Sequence, residues 1–250
     1  MHYLMTCCAW LFLSLVSLHS LAAEIEVVTE DSIYAYPRDG KVAGPGTQIV
    51  EDTLRGAAIT EYRLSLYPWA RAYEKALHEP NVLIYPITRT ATREALFKWV
   101  GEIDKVTINF YKLRRSTDIE VNSLEDAKRY TIGVVRNDTK QTFLELNGFS
   151  RLVVSDDNND NFQKLLNHQV QLLPMSEASA RQASKAAQID FAALDAIYSI
   201  DHQPAKIYMA FSRNTPDEIV EKARRAFEQL EASGAVARAW SEDRPLQPQD

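Results

Sequence analysis

Two arginines stand one helical turn apart, Arg89 and Arg93, in the stretch PITRTATREALFKWVGEI that runs from Pro86 to Ile103. A guanidinium can hold a carboxylate by two parallel hydrogen bonds, so an arginine beside hydroxyls and free backbone N–H groups is a candidate anion grip. Val82 to Ile87 is a continuous apolar run, Thr88 to Thr92 follow its end, and the pattern predicts a helix from about Ala91. An arginine at a helix start works against the helix dipole, which is a reason to look for an anion beside it. The alternative is pairing with an acid of the same chain, and the residues alone leave both readings open.

Few other residues suggest chemistry. The chain has no Gly-x-Ser-x-Gly, no glycine-rich phosphate loop and no His-Glu-x-x-His. His78, His168 and His202 are widely spaced among polar neighbours and read as surface residues, with no zinc-ligand pattern. Asp156 to Asn161 has the alternating oxygens of a calcium loop, but Asn161 replaces the turn glycine and Asn167 the closing carboxylate. A polar loop capping a helix from Asn158 accounts for it, and no metal or cofactor is expected. Tyr34, Tyr36, Tyr67, Trp69, Tyr73 and Tyr85 fall near predicted strand ends and helix starts, where open α/β sheets bind ligands. Tyr73, inside a helix, reads as core; Tyr34 and Trp69, each next to a turn, suit a cleft wall or a core equally.

The elements that must position these groups alternate in period. Glu24–Thr29, Tyr62–Leu66, Val82–Ile87, Thr131–Val135, Leu152–Ser155, Val170–Leu173 and Lys206–Phe211 read as strands. Thr47–Ala58, a segment opened by Pro68, Thr139–Asn147, Asn158–Asn167, Glu177–Gln188 and the segment after the Thr215–Glu218 capping box read as helices. Gly40 to Gly46 reads as a loop. Strands alternating with helices imply an α/β fold with mostly parallel sheets. No linker separates two domains, so any division requires the chain to cross between lobes.

Residues 1–23 read as a secretory signal peptide, with an apolar stretch from Ala9 to Val16 and cleavage after Ala22 or Ala23, although no Lys or Arg precedes it. Cys7 and Cys8 lie within it, so the mature chain has no disulfide and depends on an ordinary core. The formal charge of −6 belongs wholly to the mature part and no basic block occurs, which argues against a nucleic-acid partner.

The sequence resembles the periplasmic solute-binding proteins of ABC transporters, in the polar amino-acid type (bacterial family 3), over nearly the whole mature chain. Thr90-Ala91-Thr92-Arg93-Glu94 matches the family's Thr-x-x-Arg-Glu, followed by Phe97 and Trp99-Val100-Gly101; Ile132 to Val135 and Pro216 to Trp240 match later segments. YPWARAY with RTATRE and KWVG is similar to a divergent subgroup.

The resemblance implies a two-lobed type II fold, with a hinge between lobes that are each a mostly parallel sheet flanked by helices. Residues 24–110 and 207–250 would form lobe 1 and 111–206 lobe 2, with crossings near Phe110–Arg114 and Pro204–Ile207. It implies a monomeric, non-enzymatic periplasmic protein that closes on a small carboxylate-bearing ligand, an amino acid or organic acid, and delivers it to an inner-membrane permease. A sensor partner of a membrane signalling protein is an alternative, and so is a dehydratase using Glu61, Glu94 or Asp138. Arg93 would grip the carboxylate, helped by Thr88 and Thr90; Tyr34 and Trp69 would form walls; Asp138 and Thr139 would close over the ligand; and nearby Arg136 would favour an anion. Gln171 and Ser176 stand where the family tends to place the aspartate that pairs with a ligand ammonium. An uncharged site offsets the desolvation of an ammonium poorly, which directs the expectation toward a carboxylate without an amine.

Overall fold

The computed structural model describes residues 24–200 and 204–243; the expected signal peptide and His202 lie outside the described residues. The chain begins with β1 (Ile25–Thr29), a hairpin of β2 (Tyr36–Arg38) and β3 (Lys41–Ala43), α1 (Pro45–Gly56), β4 (Tyr62–Leu66), α2 (Trp69–His78), β5 (Val82–Thr88) and β6 (Phe97–Val106). It continues through β7 (Asn109–Leu113), α3 (Leu124–Ala127), β8 (Ile132–Val135), α4 (Thr139–Leu146), β9 (Leu152–Ser155), α5 (Asn158–Leu166), β10 (Leu173–Met175), α6 (Glu177–Ala186) and β11 (Leu194–Ser199). It ends with β12 (Ala205–Ser212), α7 (Asp217–Ala232) and α8 (Ala235–Asp243).

Residues 25–106 and 205–212 build a five-stranded sheet in the order β4-β1-β5-β12-β6. β1 runs parallel to β4 and β5, whereas β12 runs antiparallel to both β5 and β6. Strand alternation sorts the apolar side chains onto two faces. Val27, Leu83 and Phe211 pack with α1 and α7, while Val28, Ile84 and Ala210 pack with α2. That sandwich explains why β5 is apolar at nearly every position. On α2, Trp69, Ala72 and Ala76 form the buried stripe at helical spacing.

The remaining strands form β10-β7-β11, antiparallel throughout, and the parallel pair β8-β9, linked by the bridge Ile132 to Leu172. Both sets of strands are thus mixed rather than mostly parallel. The antiparallel members lie where the chain crosses between the two: it leaves the large sheet after Val106 and returns at Ala205. The crossing expected near Phe110–Arg114 falls inside β7. Ile200 N donates to Ile108 O at 2.9 Å, which ties the two crossing segments together.

Residues 89 and 90 are irregular and 91–96 form turns, not the expected helix. Thr88 lies opposite Ile207 and Phe97 opposite Ser212, so this connection must run back five positions of β12, about 17 Å at ~3.3 Å per residue. It must also pass over β12. Nine helical steps would advance only about 13 Å, so a helix cannot make the connection. The following strand explains Gly101: a Cβ there would overlap the Phe227 ring of α7. β6 is an edge strand, and two of its outward carbonyls accept side-chain donors: Arg224 Nε to Trp99 O at 2.7 Å and Trp240 Nε1 to Ile103 O at 3.0 Å.

Three local differences have simple causes. The Asp39–Gly40 pair adopts positive φ at both residues and makes the β2–β3 hairpin within the expected loop. Val170 N donates to Lys164 O at the end of α5, so the next strand begins at Leu173. Pro216 is the N-cap of α7 rather than its first helical residue, and the Thr215 hydroxyl bonds Ser212 Oγ instead of capping. Asp157 caps α5 by accepting from Asp160 N at 2.8 Å, as the polar-loop reading requires.

Candidate ligand-binding site

A cavity of about 470 Å³ lies between the carboxyl ends of β1, β4 and β5 on one side and those of β8, β9 and β10 on the other. This is where open α/β sheets leave strand ends and helix starts uncovered. Val106, Ile108, Ile200 and Ala205 line it where the chain crosses, and Phe143, Pro174 and Met175 add apolar wall.

Arg93 projects from the turn that links β5 to β6. Its backbone is set by Arg93 N to Thr90 O and Leu96 N to Arg93 O. The side chain is 6% exposed and lies over Tyr73 at 4.6 Å and Trp69 at 5.4 Å. Nη1 donates to Thr88 O at 3.4 Å, and Nη2 donates across the cleft to Asn137 O at 3.1 Å. Trp69 Nε1 donates to the same carbonyl at 3.0 Å. Asn137 holds a left-handed backbone (φ 61°) between β8 and α4, and its N–H is bound by Gln141 Oε1. Tyr73 therefore supports the arginine as well as the core.

Arg89 behaves differently. It makes a two-point ion pair with Glu94, Nε to Oε2 at 2.8 Å and Nη2 to Oε1 at 2.6 Å, and lies over Trp99 and Tyr208. Pairing within the chain accounts for one arginine of the motif and not for the other.

Thr88, Thr90, Trp69, Tyr34, Asp138 and Thr139 all line the cavity. Tyr34 is anchored by its hydroxyl to Asp104 Oδ2 at 2.9 Å and packs edge-on against Trp240. Asp138 caps α4, accepting from Lys140 N at 2.8 Å and from Lys140 Nζ at 2.6 Å. Burial raises its carboxyl, but the Lys140 ammonium, its hydrogen bonds and the Arg93 charge outweigh that and hold it below the usual carboxylate range. Arg136 is not at the cavity. It is exposed: its N–H extends the β8–β9 ladder to Ser155 O at 2.9 Å, and its guanidinium pairs with Asp156, just beyond β9, at 3.3 Å.

Glu30, directly after β1, also lines the cavity. Its carboxyl is raised to about 8, first by desolvation and then by Asp138, with Asp31 and Asp157 adding and Lys140 opposing. Among the described residues its carboxyl oxygens have no hydrogen-bond or ion-pair partner. Ser176 faces the cavity as the cap of α6, whereas Gln171 is turned away onto Thr131 N and Oγ1.

No protein-family model matches the chain, and no curated protein matches its sequence. Solved structures do match. A histidine kinase sensor domain with similarity to periplasmic binding proteins gives a TM-score of 0.78 at 14% identity, over 88% of this chain and 95% of that one. The arginine-, lysine-, histidine-binding protein ArtJ of Geobacillus stearothermophilus gives 0.75 at 20% identity, over 90% and 97%. The amino-acid transporter substrate-binding protein AbpA of Streptococcus pneumoniae, bound to L-arginine, gives 0.75 at 16% identity, over 88% and 94%.

The fold is that of the type II periplasmic binding proteins.

Within this periplasmic-binding-protein fold, three charged residues at the cavity escaped the sequence reading, Glu30, Lys140 and Lys206. Lys140 follows Asp138 and Thr139 at the start of a recognised helix, so its place was available. Glu30 is the second residue of a Thr-Glu-Asp run at a strand's carboxyl end, the position at which this architecture places ligand groups. The cleft is therefore not free of carboxylates, despite the uncharged Gln171 and Ser176.

Proposed function

We propose that the chain is a periplasmic solute-binding protein that closes on a small carboxylate-bearing ligand and delivers it to an inner-membrane permease. The supporting observation is Arg93. It is a buried cation on a cavity wall, and three of its five N–H groups have no partner among the described residues. A carboxylate fits that geometry by two parallel bonds. Thr88 and Thr90 lie beside it, Trp69 and Tyr34 form walls, and Asp138 and Thr139 cover it from the other lobe. Lobe 1 would comprise 24–110 and 207–250 and lobe 2 residues 111–206, moving about the paired segments at Ile108 and Ile200. Closure would give a permease a surface that the open form lacks.

The 0.78 TM-score to a kinase sensor domain supports a second reading, in which the closed form instead engages a membrane signalling protein. An enzymatic reading has less support. Glu61 and Glu94 are not at the cavity and Asp138 is engaged with Lys140. Unchanged ligand recovered from the purified protein by mass spectrometry speaks against turnover.

Thermal melting across a panel of small carboxylates and amino acids tests the binding reading. A ligand at a hundred times its Kd adds about 2.7 kcal/mol, which shifts Tm by roughly 5–10 °C for a chain of this size. Arg93→Ala abolishes the shift, with circular dichroism checking that the variant is folded. No shift with any member of the panel, or an equal shift in folded Arg93→Ala, refutes the proposal.

A further inference from the structure

Beyond its charged groups the cavity has an apolar end, and it lies where the chain crosses between the two sets of strands. Val106, Ile108 and Ile200 line the cavity there. Met175 lies beside them because it pairs with Asn109 in the register of β10 on β7, and Phe143 stands one turn of α4 after Thr139. Val106, Ile108, Phe143 and Ile200 are only half-buried, so part of their apolar surface is uncovered, whereas Phe110 and Leu144 next to them are fully buried.

The register measures how far this end is from Arg93. Thr88, whose carbonyl accepts from Arg93, lies opposite Ile207 on β12. Val106 lies opposite Ala205, two positions earlier on β12, and Ile108 is two residues beyond Val106. At ~3.3 Å per residue the apolar end is therefore about 7–13 Å from Thr88. The cavity volume of about 470 Å³ equals about 16 water molecules at ~30 Å³ each, several times what a carboxylate alone fills.

The charges at the cavity call for one ligand anion. Lys140 is held by Asp138 Oδ2 at 2.6 Å, Arg89 is paired with Glu94, and Lys206 lies 3.8 Å from Glu102. That leaves Arg93 as the buried cation with N–H groups to spare. Glu30 keeps its proton at pH 7, because burial and then Asp138 raise its carboxyl to about 8.

We propose that the ligand is a monocarboxylate with an extended apolar body, an aliphatic chain or a phenylalkyl group: Arg93 holds the carboxylate, and the body lies along Val106, Ile108, Phe143, Met175 and Ile200. This rests on the solute-binding reading above and narrows its ligand from carboxylates in general to amphipathic ones. A ligand with a polar or charged far end would bring that end against apolar side chains, where it loses water and gains no partner. An apolar body instead covers surface that the protein leaves open.

Isothermal titration at pH 7 tests this. The apolar probes are butanoate, hexanoate, octanoate and 3-phenylpropanoate; the polar ones are glutarate, L-glutamine and L-arginine. Each methylene buried against the wall gains about fourfold, so octanoate should bind on the order of 100-fold more tightly than butanoate. The tightest probe should be an apolar acid, and Arg93→Ala should abolish its binding. Phe143→Ala and Ile200→Ser, each checked for folding by circular dichroism, should weaken octanoate by about tenfold and leave butanoate within about threefold. Arg93-dependent binding of glutarate, L-glutamine or L-arginine as tight as the best apolar acid overturns the apolar-body assignment alone. So does an affinity that stays flat from butanoate to octanoate, or an octanoate affinity that both folded variants leave intact. Failure of every probe to bind the wild type, or binding that folded Arg93→Ala retains in full, overturns the assignment together with the solute-binding reading.

Discussion

Trp69→Phe isolates the contact that joins the two lobes. Trp69 Nε1 and Arg93 Nη2 both donate to Asn137 O, at 3.0 and 3.1 Å. Phenylalanine keeps an aromatic wall at this buried position and deletes the indole donor. A neutral hydrogen bond contributes about 0.5–1.5 kcal/mol net. The Asn137 carbonyl is not orphaned, because Arg93 still donates to it, so the loss falls near ~1 kcal/mol of closed-state stability. That corresponds to about a fivefold fall in the closed-to-open ratio and a similar loss of apparent affinity. Small-angle scattering of the ligand-free protein should show a larger radius of gyration, and titration of any ligand found by melting should show the fivefold weakening. Arg93→Ala removes the other donor to Asn137 O and the proposed carboxylate grip together, and should lose about 2–5 kcal/mol of binding. If Trp69→Phe weakens binding as much as Arg93→Ala does, Trp69 contacts the ligand's polar group itself. If it changes neither scattering nor affinity, the Asn137 contact does not hold the cleft shut.

Glu30→Gln should change the pH dependence of stability. The folded carboxyl is raised from 4.5 to about 8, so between those values the folded state holds a proton that the unfolded state has lost. Wild-type stability therefore falls as pH climbs from about 4.5 to 8, and ligand-free Glu30→Gln should match wild type at pH 4.5 and exceed it at pH 8.5 by a few kcal/mol; equal melting curves at pH 8.5 would contradict this. Gly101→Ala forces a methyl into the Phe227 ring and should cost about 1–3 kcal/mol in urea unfolding, with ligand affinity per folded molecule unchanged. Arg89→Ala breaks a pair with an exposed Glu94 and should cost less than about 1 kcal/mol, leaving affinity within about threefold by titration.

The parts of this molecule that were legible in sequence are those decided by local burial. β5 shows as an unbroken apolar run because both its faces are covered, and α2 shows as Trp69, Ala72 and Ala76 at helical spacing. The helix expected at Ala91 failed for a non-local reason: the distance between the partners of Thr88 and Phe97 along β12 exceeds what a helix can span. Nothing within TATREALF encodes that distance. β6 itself alternates buried and half-buried residues through most of its length and was readable, but the assumed helix obscured it. Arg136 was placed by adjacency to a strand end, and the ion pair that takes it to the surface is with Asp156, which follows a different strand, β9. Glu30 is the opposite case. Its type and position are ordinary in sequence, and its character comes first from burial in the cleft and then from Asp138, Lys140 and Asp157, which belong to the other half of the chain's fold.

The choice of arginine at position 93 follows from counting donors. The guanidinium carries five N–H groups in a fixed plane. One goes to Thr88 O within the same lobe and one to Asn137 O across the cleft. Three remain, enough for a carboxylate held at two points. In the proposed function, closure and ligand binding therefore draw on different N–H groups of one side chain and do not compete for them. A lysine has three donors on one nitrogen and no fixed plane, so it would have to divide them among two carbonyls and a ligand. The stacking of the guanidinium on Tyr73 and Trp69 holds that plane in place, and Trp69 donates to the same carbonyl. In the solute-binding reading proposed above, the residue that takes the ligand's negative charge is thus also one that bridges the lobes.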